Sequence, residues 1–294
     1  MAKLRGCGTA LVTPFLSDGS LDERALRSLV AWQIDSGIDF LVPCGTTGET
    51  PTLSHDEWRR VIEITIEVAA ERVPIVAGAT SNCTTDAVHK AVEVSKIKGV
   101  DAILTASPYY NKPTQEGQYQ HFKAIAEAVG IPIVLYNVPG RTGVNLEPDT
   151  LQRLSKLPNI AAVKEASGRI SQIAEICGLI PGFTVLSGDD SLTLPVIAVG
   201  GVGVISVASN AFPKEMADLT RAALNNDWTT ARQLNDKYLA LMQANFIESN
   251  PMPVKAVLAM MGRIEENYRL PMCRMQPALR AKLETIARAA GVVK

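Results

Sequence analysis

A chain of 294 residues, 47% apolar and 20% charged, holds ample material for a core and suits one large barrel with an appendage or two ordinary domains. Its net charge of -1, a pI near 6.3 and the lack of any basic run of five residues exclude nucleic acid and anionic membrane as partners. Met1 to Gly8 has the charges of a signal peptide, but the apolar stretch after it breaks at Thr13-Pro14 and is too short for a leader.

The five cysteines, Cys7, Cys44, Cys83, Cys177 and Cys273, are odd in number and show no C-x-x-C spacing. A reduced, cytoplasmic setting is expected, with each cysteine acting as a small hydrophobe. The three histidines, His55, His89 and His121, lack partners at metal-ligand spacing and read as structural surface residues, so no metal is expected.

Taken in chain order, short runs rich in Val, Ile and Ala alternate with longer amphipathic segments as far as residue 227. The pattern predicts strands over Cys7 to Val12, Phe40 to Cys44, Pro74 to Gly78, Ala102 to Ala106, Ile131 to Tyr136, Ile160 to Lys164, Thr184 to Ser187 and Gly203 to Val207. Helices are predicted to begin near Asp22, Ser54, Thr85, Thr114, Glu147, Ile170, Ser191 and Pro213; Ser54 with Glu57 three residues on forms a capping box. Eight βα units in about 220 residues match an α/β fold of the (β/α)₈, or TIM-barrel, kind. Ser191 to Pro213 carries no charge, yet Pro195 and three glycines favour a buried helix followed by a buried parallel strand over a membrane span. Beyond it, Asp227 to Phe246, Met252 to Met261 and Gln276 to Ala289 read as helices only. The division expected is a catalytic barrel over 1–227 and a C-terminal helical domain over 228–294.

A barrel of this kind carries its chemistry at the C-terminal ends of its strands. There the second strand runs into Gly45-Thr46-Thr47-Gly48-Glu49, the fourth into Pro108-Tyr109-Tyr110-Asn111-Lys112-Pro113, the fifth into Tyr136-Asn137-Val138-Pro139-Gly140-Arg141-Thr142-Gly143, and the sixth ends in Lys164. Lys164 follows Ile160-Ala161-Ala162-Val163, an apolar run that belongs in a core. A desolvated lysine titrates low, is partly neutral near pH 7 and attacks carbonyls; the alternative is a lysine that reaches solvent and pairs with Glu165. Backbone N–H groups and a Thr hydroxyl in the glycine-flanked Thr46-Thr47 turn suit a small carboxylate, unless the segment is an ordinary Gly-rich turn. Tyr136 is placed to pass protons beside the lysine or to be a core tyrosine. Arg141 can hold a carboxylate bidentately or lie on the surface. Gly201 and Gly203 give only a weak phosphate-loop signal.

Together G-T-T-G-E, Y-Y-N-K-P, Y-N-V-P-G-R-T and V-K-E-A-S-G resemble the dihydrodipicolinate synthase family, pyruvate-dependent class I lyases that include N-acetylneuraminate lyase, over essentially the whole chain. The resemblance implies that Lys164 forms a Schiff base with pyruvate and that Tyr136, Thr46 and Tyr110 make a proton relay, with Tyr110 lent by the neighbouring subunit. It implies Thr47 as a ligand of the pyruvate carboxylate, Gly188 and Ile205 as lining beside the imine, and Arg141 as the receiver of the carboxylate of L-aspartate 4-semialdehyde. The product would be 4-hydroxy-2,3,4,5-tetrahydrodipicolinate, which feeds lysine and diaminopimelate synthesis. No cofactor is implied, since the protonated imine is the electron sink, and a homotetramer is.

The positions matching the family's lysine-feedback site are Thr50, His55, Trp58, Asn82, Asp86 and Tyr109. Asp86 is one methylene shorter than the usual Glu, so weak inhibition by L-lysine is expected. The nearest alternative is a sister lyase for sialic acid or another sugar acid. Arg141, and Thr46 where sialate lyases commonly have Ser, point to the acidic aldehyde.

Overall fold

The computed structural model describes residues 4–294. The strands are β1 (Gly6–Ala10), β2 (Phe40–Val42), β3 (Val76–Gly78), β4 (Ala102–Ala106), β5 (Ile133–Asn137), β6 (Ile160–Glu165), β7 (Thr184–Ser187) and β8 (Gly203–Ser206). Helices between and after them are α1 (Glu23–Asp35), α2 (His55–Ala69), α3 (Thr84–Ser95), α4 (Gln115–Ala128), α5 (Pro139–Thr142), α6 (Pro148–Leu154), α7 (Ile170–Leu179), α8 (Thr193–Ala198) and α9 (Pro213–Leu224). All eight strands pair in parallel in the order β2-β1-β8-β7-β6-β5-β4-β3, and a parallel bridge between Leu41 and Ile75 brings the two ends together. This is the (β/α)₈ barrel that the alternation predicts.

The strands are apolar on both faces because both faces are covered. One buried cluster fills the barrel interior and includes Ala10, Phe40, Val76, Leu104, Val134, Ala162, Leu186 and Ile205. A larger one lies between the barrel wall and the helices. Gly203 explains itself at the first residue of β8, where a Cβ would lie 1.9 Å from the Gly6 carbonyl oxygen. It serves strand contact at the N-terminal end of the barrel, away from the mouth, and the phosphate-loop signal has no site there.

The local signals act as read. Ser54 caps α2 by accepting from the Glu57 N–H at 3.2 Å, while the Glu57 carboxylate accepts from the Ser54 N–H at 2.9 Å. Thr114 caps α4 through the Gly117 N–H. The uncharged stretch Ser191 to Pro213 holds α8 and β8, and no helix of the described residues is long and apolar enough to cross a membrane. Two expectations fail. His121 is buried on α4 against Thr84, where burial pushes its imidazole down to about 4, so it is not a surface residue. Cys83 and Cys273 are exposed, unlike the buried Cys7 and Cys44, so only part of the cysteine set behaves as core.

After the barrel come α10 (Trp228–Ala244), α11 (Met252–Met260) and α12 (Pro277–Ala289). Helix α11 is buried from Met252 through Leu258, as a helix apolar on nearly every side must be. Its approach, residues 245–251, runs back to the mouth of the barrel: Asn250 Nδ2 donates to Thr47 Oγ1 at 3.0 Å.

Candidate active site

Strand registry decides which side chains enter the mouth. Tyr136 pairs with Lys164 and Asn137 with Glu165 across β5 and β6. Alternation sends the first pair inward and the second outward. Outside, Glu165 accepts from Asn137 Nδ2 at 2.9 Å and from the Ser167 N–H at 2.7 Å. Glu165 is therefore not the partner of Lys164, and the solvent-reaching alternative for this lysine falls.

Inside, Lys164 is 5% exposed and its Nζ lies 4.3 Å from the centre of the Tyr136 ring. Among the described residues, no group accepts a hydrogen bond from it. Burial pushes the ammonium down to about 8, with Asp190 opposing and Arg141 reinforcing the shift. Relative to its ordinary value of 10.5, the neutral fraction at pH 7 rises about 300-fold. Tyr136 moves the other way, to about 12, because burial disfavours the phenolate. The tyrosine thus stays protonated while the lysine loses its proton more readily. Space beside the amine is made by Gly188, where a Cβ would lie 2.7 Å from that of Ala166 and 3.2 Å from Lys164 Cε. Ile205 is wholly buried in the barrel interior.

Two adjoining cavities share Tyr136, Val138 and Arg141. The first, of about 270 Å³, is lined also by Gly45, Thr46, Thr50 and Tyr109. The second, of about 460 Å³, adds Gly188, Asp189, Glu248 and Asn250. Arg141 lies on the one-turn helix α5 rather than in the open loop that its Pro-Gly setting suggests, and its Nη2 donates to the Asn250 carbonyl at 3.4 Å. Thr46 is exposed at the wall, while Thr47 is 3% exposed, is not among the lining residues of either cavity and accepts from Asn250 Nδ2.

The two tyrosines after β4 diverge. Tyr109 lines the first cavity, whereas Tyr110, at φ 74°, is 88% exposed and does not reach it.

The feedback-site positions are brought together only in part. Thr50 and Tyr109 share the first cavity, and Asn82 Nδ2 donates to the Tyr109 carbonyl. His55 stands exposed on α2 beside Glu93, which raises its pKa, and lies 5.8 Å ring to ring from Trp58. Trp58 is 5% exposed with its indole N–H spent on the Gly78 carbonyl, so it offers a ligand no polar atom. Asp86 is exposed in the first turn of α3.

The sequence reading misses Asp190, buried near Lys164 with its carboxyl pushed up to about 6 by burial, and it misses Asn250. Neither stands out in a residue string: an Asp in a Gly-Asp-Asp loop and an Asn before a proline are ordinary turn residues.

A (β/α)₈ barrel with a buried, unpaired amine and a buried phenol side by side at its C-terminal mouth defines a class, barrels built for imine chemistry on a small carbonyl compound. Comparison with known proteins makes the class particular. The model of the dihydrodipicolinate synthetase family matches residues 3–290. The 4-hydroxy-tetrahydrodipicolinate synthase of Koribacter versatilis (strain Ellin345) is 73% identical over 293 residues, covering 99% of this chain and 98% of that one. Among solved structures, the chloride-inhibited dihydrodipicolinate synthase of Acinetobacter baumannii complexed with pyruvate superposes with a TM-score of 0.96 at 43% identity, over 98% of this chain and 99% of that one. The enzyme of Cyanidioschyzon merolae with lysine bound gives 0.94 at 37% identity, over 98% and 99%. The chain belongs to the dihydrodipicolinate synthetase family.

Proposed function

We propose that Lys164 is the amine that condenses with pyruvate and that the mouth around it carries out the synthase reaction on L-aspartate 4-semialdehyde. The activity is that of an aldolase-type lyase, 4-hydroxy-tetrahydrodipicolinate synthase, of lysine and diaminopimelate biosynthesis. Family membership alone admits a sister lyase for sugar acids; the 73% identity to the Koribacter synthase over nearly the whole chain favours the synthase reaction. In this reading residues 1–227 are the catalytic barrel and 228–294 a helical domain that completes its mouth.

The neutral Lys164 amine adds to the ketone carbon of pyruvate, and the adduct loses water to give a protonated imine. A proton then leaves the methyl carbon, and the resulting enamine forms a carbon–carbon bond with the aldehyde carbon of the semialdehyde. Finally the amine of the semialdehyde attacks the imine carbon, closing the ring and releasing Lys164. Tyr136 and Thr46 carry protons in these steps, with Tyr110 supplied by a second copy of the chain. Thr47 and the backbone N–H groups of its turn receive the pyruvate carboxylate, and Gly188 and Ile205 leave room for the imine. Arg141 receives the carboxylate of the second substrate.

The observation that carries the reading is the buried Lys164 amine without a hydrogen-bond partner, held against Tyr136. Borohydride with pyruvate is expected to modify the peptide containing Lys164 and to leave Lys164→Ala unmodified; an adduct elsewhere refutes the assignment.

The assembly proposed is a homotetramer, and action of Tyr110 in trans is supported by its exposure and its absence from the lining of the first cavity. Co-expressed Lys164→Ala and Tyr110→Phe chains are then expected to regain activity in mixed oligomers, which cis action forbids. L-lysine is proposed as a weak effector at Thr50, His55, Trp58, Asn82, Asp86 and Tyr109, supported by the lysine-bound relative. Inhibition at millimolar but not micromolar lysine is the expected titration.

A further inference from the structure

The turn that would seat the pyruvate carboxylate is bracketed by two residues in the left-handed region that are not glycine, Cys44 at φ 58° and Glu49 at φ 53°. Such conformations are costly for a residue with a Cβ and persist only where the surroundings over-determine them. For Glu49 those surroundings are specific. Its carboxylate, 2% exposed, accepts from Lys255 Nζ at 2.6 Å and from the Arg269 N–H at 3.3 Å. Lys255 comes from α11 and is 0% exposed.

The same Nζ donates to the Thr13 carbonyl at 3.0 Å, and the Thr13 hydroxyl donates to the Gly48 carbonyl at 2.7 Å. Asn250, five positions before Lys255, holds the Thr47 hydroxyl. Three consecutive residues of the turn, Thr47, Gly48 and Glu49, are thus each fixed by a hydrogen bond, and the tethers of all three lead back to residues 250–255.

A buried ion pair is a poor way to stabilise a fold, because desolvating both charges consumes most or all of their attraction; apolar side chains of equal volume would serve as well. What the pair supplies that apolar packing does not is a fixed distance and direction for the backbone at Glu49. We propose that Glu49 and Lys255 are positioning residues for the carboxylate seat: their contact sets the Thr46–Gly48 turn, and with it the Thr47 hydroxyl and the turn's N–H groups, against the helical segment. Neither touches substrate. The inference rests on the reading of Thr47 and its turn as the seat of the pyruvate carboxylate.

The test is the double variant Glu49→Gln/Lys255→Met in the full-length enzyme, which removes both charges at nearly constant volume. Expected are a melting temperature within a few degrees of the parent, a pyruvate KM raised on the order of tenfold, and an unchanged KM for the semialdehyde. Borohydride trapping of Lys164 with acetone, a ketone without the carboxylate, is expected to proceed at the parental rate. An unchanged pyruvate KM overturns the proposal. So does an equal rise in both KM values with slower acetone trapping, which would make the pair a support of the whole fold. Should the double variant fail to fold, Glu49→Gln alone, which keeps an acceptor for Lys255, is judged by the same four readouts. Thr47→Val separates the two levels. If it leaves pyruvate KM unchanged, the seat itself is misassigned; if it raises pyruvate KM while the double variant does not, the seat stands and the positioning role falls.

Discussion

Two lysines are buried among the described residues, and they have opposite surroundings. Lys164 ends the apolar run of β6 and Lys255 interrupts the apolar helix α11; they are 5% and 0% exposed, and burial lowers the pKa of both. Lys255 meets a carboxylate oxygen at 2.6 Å and a carbonyl at 3.0 Å, so its charge is satisfied where it sits. Lys164 meets only the face of Tyr136, a contact far weaker than an ion pair, and it has Asp190 and Arg141 pulling its proton in opposite directions. Burial by itself therefore does not make a lysine reactive. A direct counter-ion turns a buried lysine into a strut, and the lack of one leaves an amine that sheds its proton easily.

The contrast is sharpest in what each loss would do. Lys164→Met is expected to lower kcat by roughly three orders of magnitude or more, because the step proposed for this amine has no substitute. Lys255→Met alone leaves Glu49 buried without its partner and is expected to cost about 3–5 kcal/mol of stability, most of it recovered when Glu49→Gln is added. Equilibrium denaturation of the three variants checks this, and a harmless single Lys255→Met would erase the distinction between the two sites.

The stability effect of Lys164→Met has the opposite sign. Its folded-state pKa is lowered from 10.5 to about 8, so below pH 8 the fold carries the full penalty of a buried ammonium, up to about 3 kcal/mol. Between about 8 and 10.5 the unfolded chain holds the proton that the folded one has lost, and stability rises with pH across that window. Lys164→Met is accordingly expected to melt a few degrees higher than the parent at pH 7 and to lose this rise. An equal or lower melting temperature at pH 7 would place Lys164 among the satisfied lysines after all.

Much of this was legible beforehand, for reasons that particular residues make plain. Parallel strands covered on both sides must be apolar throughout, so Ala102 to Ala106 and Thr184 to Ser187 are predicted with the bounds observed. Lys164 is visible as a charge closing such a run. The same signal marks Lys255, the one charge in Met252-Pro253-Val254-Lys255-Ala256-Val257-Leu258, yet its meaning depends on Glu49, some two hundred positions away, and nothing local announces that contact. Asn250 is hidden for the same reason, since its partners Thr47 and Arg141 are joined to it only by the fold. Spacing along a chain reveals which residues share an element. It does not reveal which element will close over another.

Arg141 offers the finest probe of the comparison, because its positive charge bears on Lys164, while the cation bearing on Lys255 is Arg269. Losing a bidentate charged contact commonly costs about 2 kcal/mol, so Arg141→Ala is expected to lower kcat/KM for the semialdehyde roughly thirtyfold. A smaller effect rides on it. Arg141 disfavours the protonated amine, so removing it lets Lys164 hold its proton to higher pH, and the acid limb of the pyruvate-trapping profile is expected to move up. Since the guanidinium is exposed and screened by solvent, the movement should stay below about one pH unit and shrink as salt is added. Trapping with pyruvate alone isolates this effect of Arg141, as the second substrate's carboxylate is then absent. A profile that stays in place would mean that burial by itself sets the readiness of Lys164, and a downward shift would reverse the sign assigned to Arg141.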